Sequence, residues 1–341
     1  MSVPLSGPVL GTGSRTRMPS SMAVLGAGSW GTALSLLLAR NGHTVFLWDH
    51  DPLHLSLLAR DRVNARYCPE VQLPESIQIT PVLSEALALA RDILIVVPSH
   101  AFASILGKIK ACLVPTQRIV WATKGMSAEG SELLDQVFER VLGNAYAYAV
   151  LSGPSFASEV AQGLPTAVDI ASADPAFAAD LQRCFENEFF RVHVSTDLMG
   201  VQLGGVFKNV LALAVGLSDG LHFGANARAV LMTQGLAQLI RLGVAMGAQL
   251  ETFIGLSGCG DIILSCTTDQ SRNRRFGLAL AEGLSSDQAL KRIGQVVEAL
   301  YNVEQLRDLG MRYQIALPIV EQVRAVMRQE VSASEALKAL F

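Results

Sequence analysis

"MAVLGAGSWGTALSLLLARNGHTVFLWD", residues 22–49, decides the fold. A short apolar run (22–26) leads straight into Gly26-Ala27-Gly28-Ser29-Trp30-Gly31, and a helical pattern follows to Gly42. A second apolar run (44–49) ends on Asp49. Glycines at this spacing, between a strand and a helix, allow a tight turn, close approach of backbone to a pyrophosphate, and close helix–strand packing. The helix start adds unpaired amides and the positive end of its dipole. Asp49, about twenty residues beyond the turn, is placed to accept ribose hydroxyls. The stretch reads as the opening βαβ unit of a dinucleotide-binding domain, with Gly26, Gly28, Gly31 and Asp49 at the cofactor. Asp49 repels a 2′-phosphate and favours NAD, whereas His50 with Arg60 or Arg62 could favour NADP, so both cofactors stay open.

The alternation continues outward from this unit. Strand-like runs fall at 76–80, 92–98, 118–124, 148–153, 165–172 and 189–195, with helical patterns at 52–67, 83–91, 101–112, 131–142 and 175–187. Apolar runs alternating with helices predict a parallel, helix-covered sheet. From about residue 197 only helical patterns remain, at 198–217, 226–246, 272–282, 286–292, 295–309 and 316–329. The expected fold is an α/β Rossmann-type N-terminal domain (22–200) followed by an all-α C-terminal, substrate-binding domain (201–341). Residues 1–21 are rich in Gly, Ser and Pro and read as a disordered extension, compatible with a start at Met18 or Met22.

Half of the 341 residues are apolar and 17% are charged, enough for a large core. The net charge of −3 gives no support to a nucleic-acid binder. Cysteines at 68, 112, 184, 259 and 266 show no Cys-x-x-Cys spacing. Neither a disulfide framework nor a metal site is indicated, and a reduced cytoplasmic setting fits. The apolar stretch 198–217 is long enough to raise the membrane question. Gly204, Gly205, Lys208 and Asn209 in its middle, and no basic anchors beside it, favour a buried helix over an integral membrane segment.

Lys208 is the only charged residue between Asp197 and Asp219. A lysine buried in an apolar helix needs a partner or a task, and burial lowers its pKa toward that of a proton-transferring group. Gly204, one turn earlier, would leave room for a ligand. Lys124 ends the strand "RIVWATK", and "SGPSFA" (152–157) ends the next strand in the same way. Ligands of open α/β sheets bind at such ends. Asp261, among the glycines of "GLSGCGD" (255–261), needs a partner that a lysine would supply, and it could also cap the helix that follows. Ser271 reads as the N-cap of "SRNRRFGLALAEG" (271–283), so Ser271, Arg272 and Asn273 would converge with helix-start amides on a phosphate. Arg274 and Arg275 point to other faces.

Together these blocks resemble the bacterial-type NAD(P)-dependent glycerol-3-phosphate dehydrogenases, from Met22 to about Pro318. The resemblance is carried by "GAGSWGTALSLLLARNGH", "WATKG", "SGPSFA", "GVQLGGVFKNVLALAVGLSDGLHFGANARA", "GCGDIILSCTTDQSRNRRFG" and "GQVVEA". It implies reversible hydride transfer between sn-glycerol 3-phosphate and dihydroxyacetone phosphate, which supplies glycerophospholipid synthesis. It further implies that Ser29, Trp30 and His50 contact the dinucleotide, with Ala157 near the nicotinamide, and that Val296 and Glu298 close over it. Lys124 would bridge cofactor and substrate, Gly153 and Ser155 would hold substrate, and Lys208 would accept the proton, near-neutral in its pocket. Asp261, Ser271, Arg272 and Asn273 fall on substrate positions, with Arg272 shared with the cofactor. Asp49 and Trp30 depart from the family's commoner residues. A homodimer is compatible with the resemblance, and no nucleic-acid partner is implied. The competing expectation is a β-hydroxyacid dehydrogenase of similar layout, which needs a carboxylate clamp in place of the "SRNRRFG" block.

Overall fold

A computed structural model describes residues 20–127 and 129–341. The extension assigned to residues 1–21 lies almost wholly outside the described residues. Among the described residues there are ten strands: β1 (Ser21–Leu25), β2 (Thr44–Trp48), β3 (Val63–Asn64), β4 (Cys68–Gln72), β5 (Ile77–Ile79), β6 (Asp92–Ile95), β7 (Arg118–Trp121), β8 (Tyr148–Ser152), β9 (Thr166–Ala171) and β10 (Phe190–Ser195). Eight of them form one sheet in the order β10-β9-β8-β7-β6-β1-β2-β5. The chain order reverses at β1/β6, the switch point where such sheets bind ligands.

The expected parallel sheet needs one correction: β8 and β9 pair antiparallel. β9 and β10 are parallel to each other, so both run against the other six. β8 leads through the short helix Ala157–Gln162 directly into β9. Neighbouring strands so closely connected can pair antiparallel without a long crossover.

A second correction concerns 52–67. The helix Pro52–Asp61 stops where Arg62 takes a left-handed conformation (φ 54°). The Arg62 guanidinium then donates to the carbonyls of Leu73, Pro74 and Ile77, which closes the antiparallel β3–β4 hairpin. From this hairpin Asn64 donates to Ala27 O and Thr32 Oγ1, both at 2.8 Å, tying it to the glycine turn.

The C-terminal half is helical throughout. Helices Leu250–Ile254 and Ala333–Lys338 were not anticipated, being too short for a periodic signal, whereas Asp261–Thr267 is the helix expected after Asp261. Two hydrophobic cores result, one around the sheet and one around helix Leu198–Gly220. Met126 and Leu133, from the segment after β7, join the second core, while Val201 joins the first. Two helices, Leu198–Gly220 and Gly224–Met246, are long and apolar enough to cross a membrane by composition. The first is almost wholly enclosed by protein. Its Asp197 cap accepts from Gly200 N, Gln249 N and Thr252 Oγ1.

Candidate active site

β1, β2, β6, β7 and β8 run parallel, so their carboxyl ends share one edge. That edge carries Gly26, Asp49, Ser99, Lys124 and Gly153. Gly26 has φ 114°, and a Cβ there would lie 2.4 Å from Val96 O. At Gly28, by contrast, an added Cβ meets open space. Asp51, Asp174, Asp197 and Ser271 each cap a helix with a side chain, but the helix Ser29–Arg40 starts without one. Trp30 Nε1, beside this start, is buried without a hydrogen-bond partner. Open space over the turn and uncommitted amides beneath it fit a dinucleotide pyrophosphate.

Asp49 accepts from Ala27 N at 2.7 Å and from Asp51 N at 3.1 Å, and it pairs with His50 at 3.0 Å. It therefore braces the glycine turn. The His50 side chain reaches into solvent. Arg60 pairs with Asp61 at the surface, and Arg62 donates to the carbonyls of Leu73 and Ile77.

Across the edge, Asp261 is clasped by two lysines. Lys124 Nζ donates to Asp261 Oδ2 at 2.6 Å and to Gly153 O at 2.8 Å. Lys208 Nζ donates to Asp261 Oδ1 at 3.2 Å and to Ser265 Oγ at 2.9 Å. Each ammonium thus keeps one N–H uncommitted. Burial lowers Lys124 to about 8, with Asp261 opposing the shift and Lys208 adding to it. Lys124, read from the sequence as a strand-end residue, is thus a depressed lysine of the site. Burial alone would raise Asp261, but the two lysines hold it below the usual carboxylate range. Two cations on one anion leave a net positive pocket suited to a phosphate ester.

The entry to Asp261 differs from expectation. A π-turn (Leu256–Gly260) precedes it, Gly260 occupies the cap position, and the carboxylate is spent on the lysines rather than on capping. Gly204 leaves no room for a ligand, because a Cβ there would lie 2.1 Å from Ser257 O. Asp169 of β9 holds the same turn, accepting from Ser257 N at 2.9 Å and Oγ at 2.6 Å. Cys266 is buried in the helix Asp261–Thr267 and its thiol is pushed up to about 12, while Cys259 is only half-buried.

Ser271 caps the helix Arg272–Ala281, accepting from Arg274 N at 3.3 Å. The Arg272 side chain is open to solvent yet crowded by protein, as on a cleft wall, and this crowding lowers its pKa against the pull of Glu298. Glu298 crosses the cleft: it accepts from Ser99 N at 3.1 Å and Ser99 Oγ at 2.6 Å. Val296 is half-buried two residues earlier. Arg274 is buried and pairs with Asp219 and Asp269, away from the cleft. Asn273 turns inward, donating to Asn209 and accepting from Ala299 N, so only part of its amide remains for a ligand. Ser155 donates to Gly153 O at 3.1 Å, and Ala157 opens an uncapped helix at the same edge.

Ser99, Asp169, Asn209, Ser257 and Ser265 were missed. Ser265 had a legible signal, standing four residues after Asp261 on the same helix face. Asn209, beside Lys208, was another polar residue in the middle of an apolar helix. Among the described residues, no group of three or more His, Cys, Asp or Glu could hold a metal.

Residues 21–178 match the family described as NAD-dependent glycerol-3-phosphate dehydrogenase N-terminus, and residues 197–338 match its C-terminus. The chain belongs to this family. The glycerol-3-phosphate dehydrogenases [NAD(P)+] of Shigella boydii serotype 18 and Escherichia coli K12 are each 49% identical over 94% of this chain and 95% of theirs. The crystal structure of glycerol-3-phosphate dehydrogenase from Coxiella burnetii is 44% identical, with a TM-score of 0.91 over 94% of this chain and 98% of that one. The glycerol-3-phosphate dehydrogenase family thus covers both halves of the molecule.

Proposed function

We propose that this chain interconverts sn-glycerol 3-phosphate and dihydroxyacetone phosphate with NAD(P), and that it supplies glycerol 3-phosphate for glycerophospholipid synthesis. The observation that carries the reading is Asp261 held between Lys124 and Lys208 at the edge that bears the glycine turn. Family membership and 49% identity to NAD(P)-dependent relatives favour it over a β-hydroxyacid dehydrogenase.

Gly26, Gly28, Ser29, Trp30, Gly31 and Asp49 would hold the dinucleotide, with Glu298 and Val296 over it. When bound, its nicotinamide supplies or accepts the hydride at C2. Lys208, through its uncommitted N–H, gives the proton to the carbonyl oxygen in reduction and takes it back in oxidation. Asp261 balances the charge and fixes both lysines. Lys124, anchored on Gly153 O, orients the substrate. Ser271, Arg272 and the remaining N–H of Asn273 seat the phosphate, whose binding energy is spent on orientation. Asp49, with Arg60 and Arg62 turned to other partners, supports NAD as the preferred cofactor. Helix Gly224–Met246 leaves Val230 and Val244 exposed, an apolar face that a second copy would cover in a homodimer. Five free cysteines go with a cytoplasmic setting.

Initial rates of NADH and NADPH oxidation test the assignment, with dihydroxyacetone phosphate and with unphosphorylated β-keto acids as substrates. Turnover confined to the β-keto acids would overturn it.

A further inference from the structure

Four buried amide side chains join the parts of this cleft head to tail. Ala299 N donates to Asn273 Oδ1 at 3.1 Å, and Asn273 Nδ2 donates to Asn209 Oδ1 at 2.8 Å. Asn209 Nδ2 donates to Asn302 Oδ1 at 2.9 Å, and Asn302 Nδ2 to Gln305 Oε1 at 2.9 Å. Gln305 Nε2 ends the chain on the carbonyl of Ser127. Asn302 is fully enclosed, and the other three amides are at most 9% exposed.

The polarity of this chain is fixed at both ends. A backbone N–H can only donate and a backbone carbonyl can only accept, so flipping any one amide sets donor against donor or acceptor against acceptor. Four of its six members stand one to three residues from a residue of the candidate site. Ala299 follows Glu298, Asn273 follows Arg272, Asn209 follows Lys208, and Ser127 stands three after Lys124. Asn302 and Gln305 sit on the core side of helix Ala299–Arg312, where an apolar residue would ordinarily be cheaper to bury.

Asn273 spends its oxygen and one N–H on this chain, so the direction of its second N–H is set by the first two bonds. We propose that Asn302 and Gln305 are positioning residues for phosphate recognition. Through Asn209 they fix the amide of Asn273, and so aim its remaining N–H at the substrate phosphate beside Arg272. The proposal rests on the reading of Arg272 and Asn273 as the phosphate seat. Buried amide networks hold orientation well when every member is satisfied and badly when one is not.

Asn302→Leu breaks the chain in the middle, and Gln305→Met removes only its last link. Both variants are assayed with dihydroxyacetone phosphate and with dihydroxyacetone, which lacks the phosphate, and NADH affinity is read by fluorescence titration. For Asn302→Leu the KM for dihydroxyacetone phosphate should rise about tenfold, equivalent to about 1.4 kcal/mol, and for Gln305→Met by less. Turnover of dihydroxyacetone and NADH affinity should stay within about twofold, an allowance of about 0.4 kcal/mol. Equal losses on both substrates, or no change on either, would overturn the proposal. So would failure of both variants to fold, because the chain would then hold the core rather than aim the seat. Arg272→Ala is run beside them. An unchanged KM there would sink the phosphate assignment itself, whereas a raised KM there with an unaltered Asn302→Leu would sink only the relay.

Discussion

Replacing Asp261 with Asn keeps the shape of the side chain and removes its charge. Lys124 Nζ lies 2.6 Å and Lys208 Nζ 3.2 Å from its two oxygens. At an effective dielectric of about 20, unit charges at those separations attract by about 6 and about 5 kcal/mol. Relaxation and entering water offset much of this. Keeping half of the larger figure leaves about 3 kcal/mol, or about 2 pKa units. Lys124 titrates at about 8 with Asp261 present, because burial outweighs the carboxylate's help. Without it, Lys124 should titrate near 6, an extrapolation of about 2 units. Lys124 orients the anionic substrate only while it carries its proton. In the native enzyme kcat/KM for dihydroxyacetone phosphate should therefore decline as pH rises through about 8. In Asp261→Asn the decline moves to about pH 6 and activity recovers toward acid, costing about 25-fold at pH 7.5 from protonation alone. Linkage gives a second sign. Unfolded Lys124 keeps its proton to 10.5 while the folded state releases it at about 8, so between these values this group makes stability rise with pH. Rate profiles following NADH absorbance, with thermal melts at each pH, measure both effects. An Asp261→Asn enzyme whose decline stays near pH 8 would refute this account of the clasp.

Gly204→Ala places a methyl 2.1 Å from Ser257 O, a backbone atom that cannot swing aside. It should lower Tm by several degrees, a loss of about 2 kcal/mol or more, and cut kcat because the same turn leads to Asp261; wild-type melting would contradict the close approach. Asp49→Ser removes the negative charge facing the ribose while keeping an oxygen near Ala27 N. NADPH should gain at least tenfold in kcat/KM relative to NADH, a shift of about 1.4 kcal/mol, and an unmoved ratio would show that Asp49 serves only as a brace.

The glycine turn, the second strand ending on Asp49 and the long apolar helix were legible because each carries a strong local pattern. The strand ends at Lys124 and Gly153 followed from a topological rule that needs only strand order. What stayed hidden depends on contacts distant in sequence. Arg62 leaves its helix for three carbonyls that lie eleven to fifteen residues away, and nothing in 52–67 announces them. The reversal of β9 leaves no mark on an apolar run, since the residue pattern of a buried strand does not encode direction. Asn273 read as a ligand because a helix start offers donors, yet its amide answers first to Asn209 and Ala299, which no spacing reveals. The burial of Lys124 stayed hidden for the same reason: its strand end reads as surface, and only the fold brings Gly153 and Asp261 around it.

Because β9 and β10 run against the rest, the chain leaves the sheet at the end opposite the glycine turn. Helix Leu198–Gly220 must then travel back to the edge it serves, and Lys208 comes about 15 Å along it at 1.5 Å per residue. The helix therefore works as a ruler with its zero at Asp197, and the ammonium has both a distance and a phase. One residue added between Asp197 and Lys208 would swing that ammonium by about 100°. One added well beyond Lys208 would leave it in register, so tolerance of length change along this helix should be lopsided about a single residue.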